Sequence, residues 1–415
     1  MPEPAVRLSR EQARGLVLAA QGLAPGAQLP LTDALERAGF VRTLGGVEAY
    51  LALRPRVKGF TPALLHAAME SGQVQVVPAV RGCMYLLSRA QVPGALRLAG
   101  LLTRPREEKV EARAGVKKGE LQKLGRQVVE VLARQGPLGT DALRKALPAG
   151  AVRSLGEAGK KLGLSSPLPP ALRVLEFEGA VARLAEGGRL DTQAYAWRVP
   201  KKSPFAGAKV AGALPALLAG VAGTFLRAAG VGRVKDLAGW AGVAQRDAAA
   251  AVQAVGAVSV EIEGEKDARV ALPAVLKAHG GAVRSGEALA FLPFEDNLLA
   301  LQGTPALLTD PRHHGLQLPS WDGKKKVALG QAAHLAYRPL VAEGRLVGFW
   351  EFDPASSEVV FGCFDGVSAA TRRRLGDEAE ATAAFLLDEL GHGRSFSLDT
   401  DAALAERARW IRSLK

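Results

Sequence analysis

The sequence predicts an α+β fold with three tandem helix-rich units, each closed by a two-stranded ribbon, and a β-rich C-terminal domain. Two observations predict it. Apolar residues recur at helical spacing in three successive groups, and each group gives way to a pair of short β-branched or aromatic runs. From about residue 287 the texture changes to strand-like runs separated by turn residues. A chain of 415 residues, 48% of them hydrophobic, has room for two to four domains with sizeable cores. The expected segments are 1–103, 104–204, 205–286 and 287–415.

In the first unit, Ser9 and Gln12 form a capping-box pattern ahead of LVLAAQGL, and LTDALERA reads as a second short helix. Thr61 as cap and Pro62 as first helical residue open TPALLHAAMESG. VQVVP and CMYLL are strands separated by AVRG, and Ser88 is expected to cap the helix that leaves the unit. The second unit repeats the order in GELQKLGRQVVEVLARQG, TDALRKAL and PPALRVLEFEGA, then AVARLA and AYAWRV joined by EGGRLDTQ. The third runs from about 213 to 272, with helices in LPALLAGVAGTFLRAAG, VKDLAGWAG and QRDAAAAVQAVG and strands in VSVEIE and ARVALP. Three helices and a hairpin is the winged-helix order, in which the third helix enters the major groove and the hairpin touches backbone or minor groove. Three copies would make a repeat array. Helical hairpins with incidental ribbons fit the same pattern. Beyond 287, LAFLPFEDNLLAL and the strands of AYRPLVAEGRLVGFWEFDPASSEVVFGCFDG predict a small β-rich domain or barrel, closed by two helices.

Net charge is +13, and it is uneven: residues 1–205 hold 31 Lys and Arg against 17 Asp and Glu, whereas residues 206–415 hold 23 against 24. Such asymmetry points to a polyanionic partner, most simply nucleic acid. An Arg-rich composition serving solubility would give the same totals. Cys83 and Cys363 form no CxxC spacing, which argues against a cysteine zinc site or a disulfide framework and fits a reducing cytoplasm. The N-terminus lacks the apolar core of a signal peptide. The longest uncharged run, VAGALPALLAGVAGTFL, contains Pro215 and predicts a buried helix rather than a membrane span. His313 and His314 are adjacent, so their side chains should diverge, and no third ligand has suitable spacing for a metal. With no P-loop, dinucleotide fingerprint or GxSxG, no cofactor is expected.

The stretches LSREQARGLVLAAQGL, AYLALRPRVKGFTPALLHAAMESG, VPAVRGCMYLLSRAQV, LAFLPFEDNLLAL and VAEGRLVGFWEFDP occur in an order that resembles the winged-helix DNA glycosylase family typified by AlkZ and YcaQ. The resemblance covers nearly the whole chain. It implies three tandem winged helices, a C-terminal β-barrel, a concave basic surface for duplex DNA and excision of alkylated bases. The family's catalytic Gln-x-Gln or Gln-x-Asp triplet falls on Arg42, Thr43 and Leu44, so both signature side chains are replaced. Glu48 is then the nearest carboxylate and the only one in GFVRTLGGVEAYLALRPRV. It is the catalytic candidate, able to orient a water and face an oxocarbenium-like sugar. A solvent-facing residue at a helix start after Gly45-Gly46 is the plainer reading.

Candidate phosphate contacts are Arg42, Arg54 and Arg56, the wing-tip residues Arg81 and Arg189, and the loop lysines Lys160 and Lys161. Trp321 could stack on a base or sugar while Lys324, Lys325 and Lys326 hold phosphate. Each could equally be a surface charge or a member of an internal salt bridge. Arg173, on the third helix of the second unit, could approach DNA or pair with Glu176 or Glu178. The expected protein is therefore a cytoplasmic monomer that binds double-stranded DNA and no membrane, with monofunctional glycosylase activity resting on Glu48. A non-catalytic DNA-binding regulator and a protein-binding scaffold are the alternatives.

Overall fold

The computed structural model describes residues 6–210, 212–279, 288–320, 323–396 and 399–414. It is a mixed α+β structure that divides into two compact units, one of residues 66–218 and one combining the chain before 66 with the chain from 219 onward. This division is coarser than the four segments expected, and it cuts the first repeat at 65/66.

The 66–218 unit starts within the helix Pro62–Glu70, where Thr61 Oγ1 accepts from the Leu64 N–H at 3.2 Å, as the cap pattern predicts. Strands Val74–Pro78 and Met84–Ser88 form an antiparallel hairpin with Val76 opposite Leu86. The helix that follows runs from Val92 to Arg113 and begins on Gln91 rather than Ser88; the Gln91 side chain instead accepts from the Ser88 N–H. That helix passes through Pro105, across the expected 103/104 boundary. Helices Glu120–Gln135, Thr140–Ala146, Gly156–Lys161 and Leu168–Phe177 come next. The hairpin of Ala182–Ala185 with Tyr195–Arg198 gains a third, two-residue strand, Leu138–Gly139. Leu124, Val128, Leu172, Leu175 and Trp197 join helices Glu120–Gln135 and Leu168–Phe177 to this second hairpin in one apolar core.

In the other unit the helix Arg10–Ala20 carries the full reciprocal cap between Ser9 and Gln12. Helix Leu31–Ala38, strand Val41–Arg42 and helix Glu48–Leu53 follow. Helices Leu214–Ala229, Val234–Ala241 and Gln245–Ala254 precede the hairpin Val258–Ile262 with Arg269–Ala271. Strand Val6–Leu8 adds to that hairpin in parallel, Arg7 facing Glu261, a pairing no local pattern announced. The expected barrel is, among the described residues, a four-stranded antiparallel sheet in the order Leu289–Phe291, Arg338–Ala342, Arg345–Asp353, Glu358–Cys363. Helix Ala369–Ala384 passes into the π-turn Phe385–Leu390. The last helix, Asp401–Arg412, lays Trp410 flat on Tyr337, ring centroids 4.0 Å apart. No helix among the described residues is long and apolar enough to cross a membrane.

Candidate active site

The stretch from Val41 to Leu53 is built as strand, turn and helix. Val41 and Arg42 form the strand; Gly45 and Gly46 turn the chain with φ of 77° and 61°. Gly46 is needed twice over: a side chain is disfavoured at that φ, and a Cβ would run into the Arg394 carbonyl oxygen. The same carbonyl accepts from the Val47 N–H at 2.9 Å. Helix Glu48–Leu53, buried at every position, leaves the turn.

Four consecutive residues of the segment Phe294–Asn297 fasten this stretch. The Phe294 N–H donates to Glu48 Oε2. Glu295 Oε2 accepts from Arg42 Nη1 at 2.5 Å. Asp296 takes both Arg56 nitrogens, at 2.7 and 2.9 Å, and caps the helix Asn297–Ala300. The Asn297 amide donates to the carbonyls of Ala38 and Phe40 at 2.7 and 2.9 Å. Two adjoining clefts share Glu295 and Asp296; Arg42, Leu44 and Glu48 line one, His334 and Leu335 the other.

Glu48 is 3% exposed. Its Oε1 accepts from Arg338 Nε and Nη2 at 3.1 and 2.7 Å. Arg338, fully buried over the Trp350 ring, also donates to Glu351 at 2.6 Å and to the Gly393 carbonyl at 2.8 Å. Glu351 in turn accepts from Arg407, which holds Asp399, both at 2.6 Å. Burial pushes the Glu48 carboxyl up from its ordinary value, opposed by the Arg338 charge. Burial works against the Arg338 cation, but Glu351 and Glu48 outweigh it and shift the group upward. Glu48 is thus a member of an interior ion chain, whereas the expectation had it free to meet a water. The helix start was read correctly, but the partners lie about 250 to 300 residues away in sequence.

The neighbouring cations also differ from expectation. Arg56 is 1% exposed and belongs to Asp296, Gln21 and the Ala52 carbonyl, so it faces no phosphate. Arg54 pairs with Glu378 at 2.5 Å, donates to Thr382 and lies over the Phe385 ring. Thr43 is buried, and its Oγ1 has no hydrogen-bond partner among the described residues. On the other unit Arg81 is exposed at the hairpin turn, in the left-handed region at φ 56°. Lys160 and Lys161 are exposed, Lys160 pairing with Glu157 at 2.9 Å. Arg189 forms a two-pronged pair with Asp191, at 2.8 and 2.6 Å. Arg173 points inward, donating to the Gly82 carbonyl at 2.7 Å and covering the Phe177 ring. Lys324, Lys325 and Lys326 are exposed; Trp321 lies outside the described residues. His313 and His314 do diverge, one toward the Phe364 ring and the other toward the carbonyls of Ala306 and Thr309.

Sequence reasoning missed Glu295, Asp296, His334 and Arg338. Their signal was present but faint: adjacent carboxylates inside the apolar run LAFLPFEDNLLAL, and one arginine opening a strand. Charge sorts by unit as well as by half. Residues 66–218 hold 24 Lys and Arg against 12 Asp and Glu; the rest of the chain holds 30 against 29.

Residues 35–385 match a family model described as DNA glycosylase AlkZ-like. Among solved structures, Streptomyces sahachiroi DNA glycosylase AlkZ is similar, with a TM-score of 0.66 and 17% sequence identity over 94% of this chain and 99% of that one. At that identity the likeness is one of fold. No curated protein matches the sequence.

Proposed function

The chain belongs to the AlkZ-like DNA glycosylase family, and on that premise we propose that it binds duplex DNA and recognises alkylated bases, with hydrolysis of the N-glycosidic bond as its reaction. The observation that carries this reading is the concentration of nearly all the net charge on residues 66–218, within a family whose substrate is DNA. The three repeats act as winged helices. Arg81 and Lys161 supply phosphate contacts; Lys160 and Arg189 contribute less, because Glu157 and Asp191 already pair with them. Lys324, Lys325 and Lys326, with Trp321, form a smaller second patch. Arg42, Arg54 and Arg56 hold the protein together rather than the DNA, and Glu48 positions the turn around Gly46.

A base alkylated at N3 or N7 of a purine is already cationic, so it departs without prior protonation. The protein then has to extrude the nucleotide, place a water at C1′ and face the positive sugar with negative charge. The resemblance sets the family's signature on Arg42 and Leu44, and the replacement it implies there favours one competing reading, a DNA-binding regulator without catalysis. Duplex oligonucleotides with and without N7-methylguanine or N3-methyladenine separate the two. Abasic sites in the lesion strand, with binding that weakens steeply as salt rises, are expected. Equal affinity for both duplexes and no abasic sites would establish the regulator instead, and no binding even at low salt would leave a scaffold.

A further inference from the structure

We propose that Glu295 and His334 form a carboxylate–imidazole dyad that activates the hydrolytic water, replacing the signature side chains that this chain lacks; the inference rests on the glycosylase reading above. His334 Nδ1 lies 2.6 Å from Glu295 Oε1. The other oxygen of the same carboxylate is held at 2.5 Å by Arg42, which occupies the first position of the replaced triplet. The residue standing where the family keeps its reagent therefore contacts this dyad directly.

The burial gradient has the sense a general base requires. The Glu295 side chain is 10% exposed, whereas the imidazole is 58% exposed. A carboxylate that accepts from Nδ1–H fixes the tautomer in which Nε2 is the basic nitrogen. Arg42 supplies the countercharge that keeps the carboxylate an acceptor. Glu48 has the opposite character, 3% exposed and bound into the Arg338 chain.

The backbone points the same way. Glu295 has φ of 56°, a left-handed conformation uncommon for a residue with a side chain. Its neighbours over-determine it, through the Phe294 N–H on Glu48, the Asp296 pair with Arg56 and the Asn297 amide on two carbonyls. Backbone strain maintained by such anchoring is characteristic of functional positions. Here it aims one side chain at both Arg42 and His334.

In the reaction, His334 Nε2 takes a proton from water as the water oxygen bonds to C1′. The C1′–N bond breaks with its electron pair moving to the base. A cationic alkylpurine leaves neutral, C1′ keeps a hydroxyl, and the imidazolium returns its proton to solvent. His334 is the catalytic residue, while Glu295 and Arg42 are positioning residues.

The test uses the full chain and a duplex carrying one N7-methylguanine, with single-turnover base release and DNA affinity measured from pH 5 to 8.5. His334→Gln is expected to lower the release rate by about 10²-fold or more, to leave DNA affinity within about twofold, and to abolish the acidic limb of the pH profile. Glu295→Gln should slow release and move that limb to lower pH, because the imidazolium loses its carboxylate; a purely structural role would not move it. Wild-type rate and an unchanged profile in His334→Gln would overturn the dyad alone, as would a rate loss matched by an equal loss of affinity. Absence of release by the wild-type protein would remove the glycosylase reading and the dyad with it.

Discussion

The two compact units use the same cationic residues in opposite ways. In the unit containing the N- and C-terminal segments, positive charge is almost cancelled by negative charge, and arginines act as interior struts: Arg56 on Asp296, Arg338 between Glu48 and Glu351, Arg407 between Glu351 and Asp399, Arg269 on Glu265. In residues 66–218 cations outnumber anions two to one, and most of them, Arg81, Lys160 and Lys161 included, lie exposed. The net charge of the whole chain therefore says little about where a polyanion binds until it is resolved by unit. What matters is how many cations lack a carboxylate of their own, because only these release counterions on meeting phosphate.

The largest expected effect is on the strut side of this contrast. Arg338→Met leaves Glu48 in the interior without its cation, while Glu351 keeps Arg407, and should cost about 3–5 kcal/mol in urea unfolding. Adding Glu48→Gln should recover part of that loss. A double variant whose cost is the plain sum of the two singles would show that the pair does not act as one.

Of intermediate size is the effect on the surface side. Converting Arg81, Lys160 and Lys161 to Gln should lower the slope of log affinity against log salt by about 0.9 for each phosphate that is no longer neutralised. The same change at Lys324, Lys325 and Lys326 should lower it less. Equal decreases from both sets would erase the distinction between the units.

The smallest effect tests whether a group within the cationic unit also has an interior cost. Burial pushes the half-buried His66 imidazole down from its ordinary 6.5, and the nearby Arg189 charge adds to the shift. Below 6.5 the unfolded chain thus binds protons that the folded one resists, so the His66 contribution is intact above 6.5 and stability falls as pH drops below it. In His66→Gln that decline should flatten when thermal midpoints are compared across pH 5 to 7.5; an identical decline would assign it to other groups.

Local signals in the sequence carried as far as local physics reaches. The Ser9–Gln12 box, the Thr61 cap and the Gly45-Gly46 turn involve residues close in the chain, and the structure has each of them. The expected 103/104 boundary instead falls inside a helix that continues through Pro105, an exposed position where the carbonyl left unpaired can meet water. The stretch around Gly46 was legible as a turn and a helix but not in its partners. Every partner that decides the state of Arg42, Glu48 and Arg56 comes from beyond residue 293 apart from Gln21 and Ala52, and a run such as FLPFEDNLLAL reads first as apolar core. Val6–Leu8 was missed for the same reason, since its partner strand starts at Val258.

The carbonyls of Gly393 and Arg394 hold Arg338 and Val47 in place. On a ribosome the turn at Gly46 emerges well before Gly393 and Arg394, and it packs against the backbone of Arg394. The cleft lined by Arg42 and Glu48 in a nascent chain must therefore stay unfinished until synthesis has passed residue 394, and a message cut short before that point would yield a chain without it.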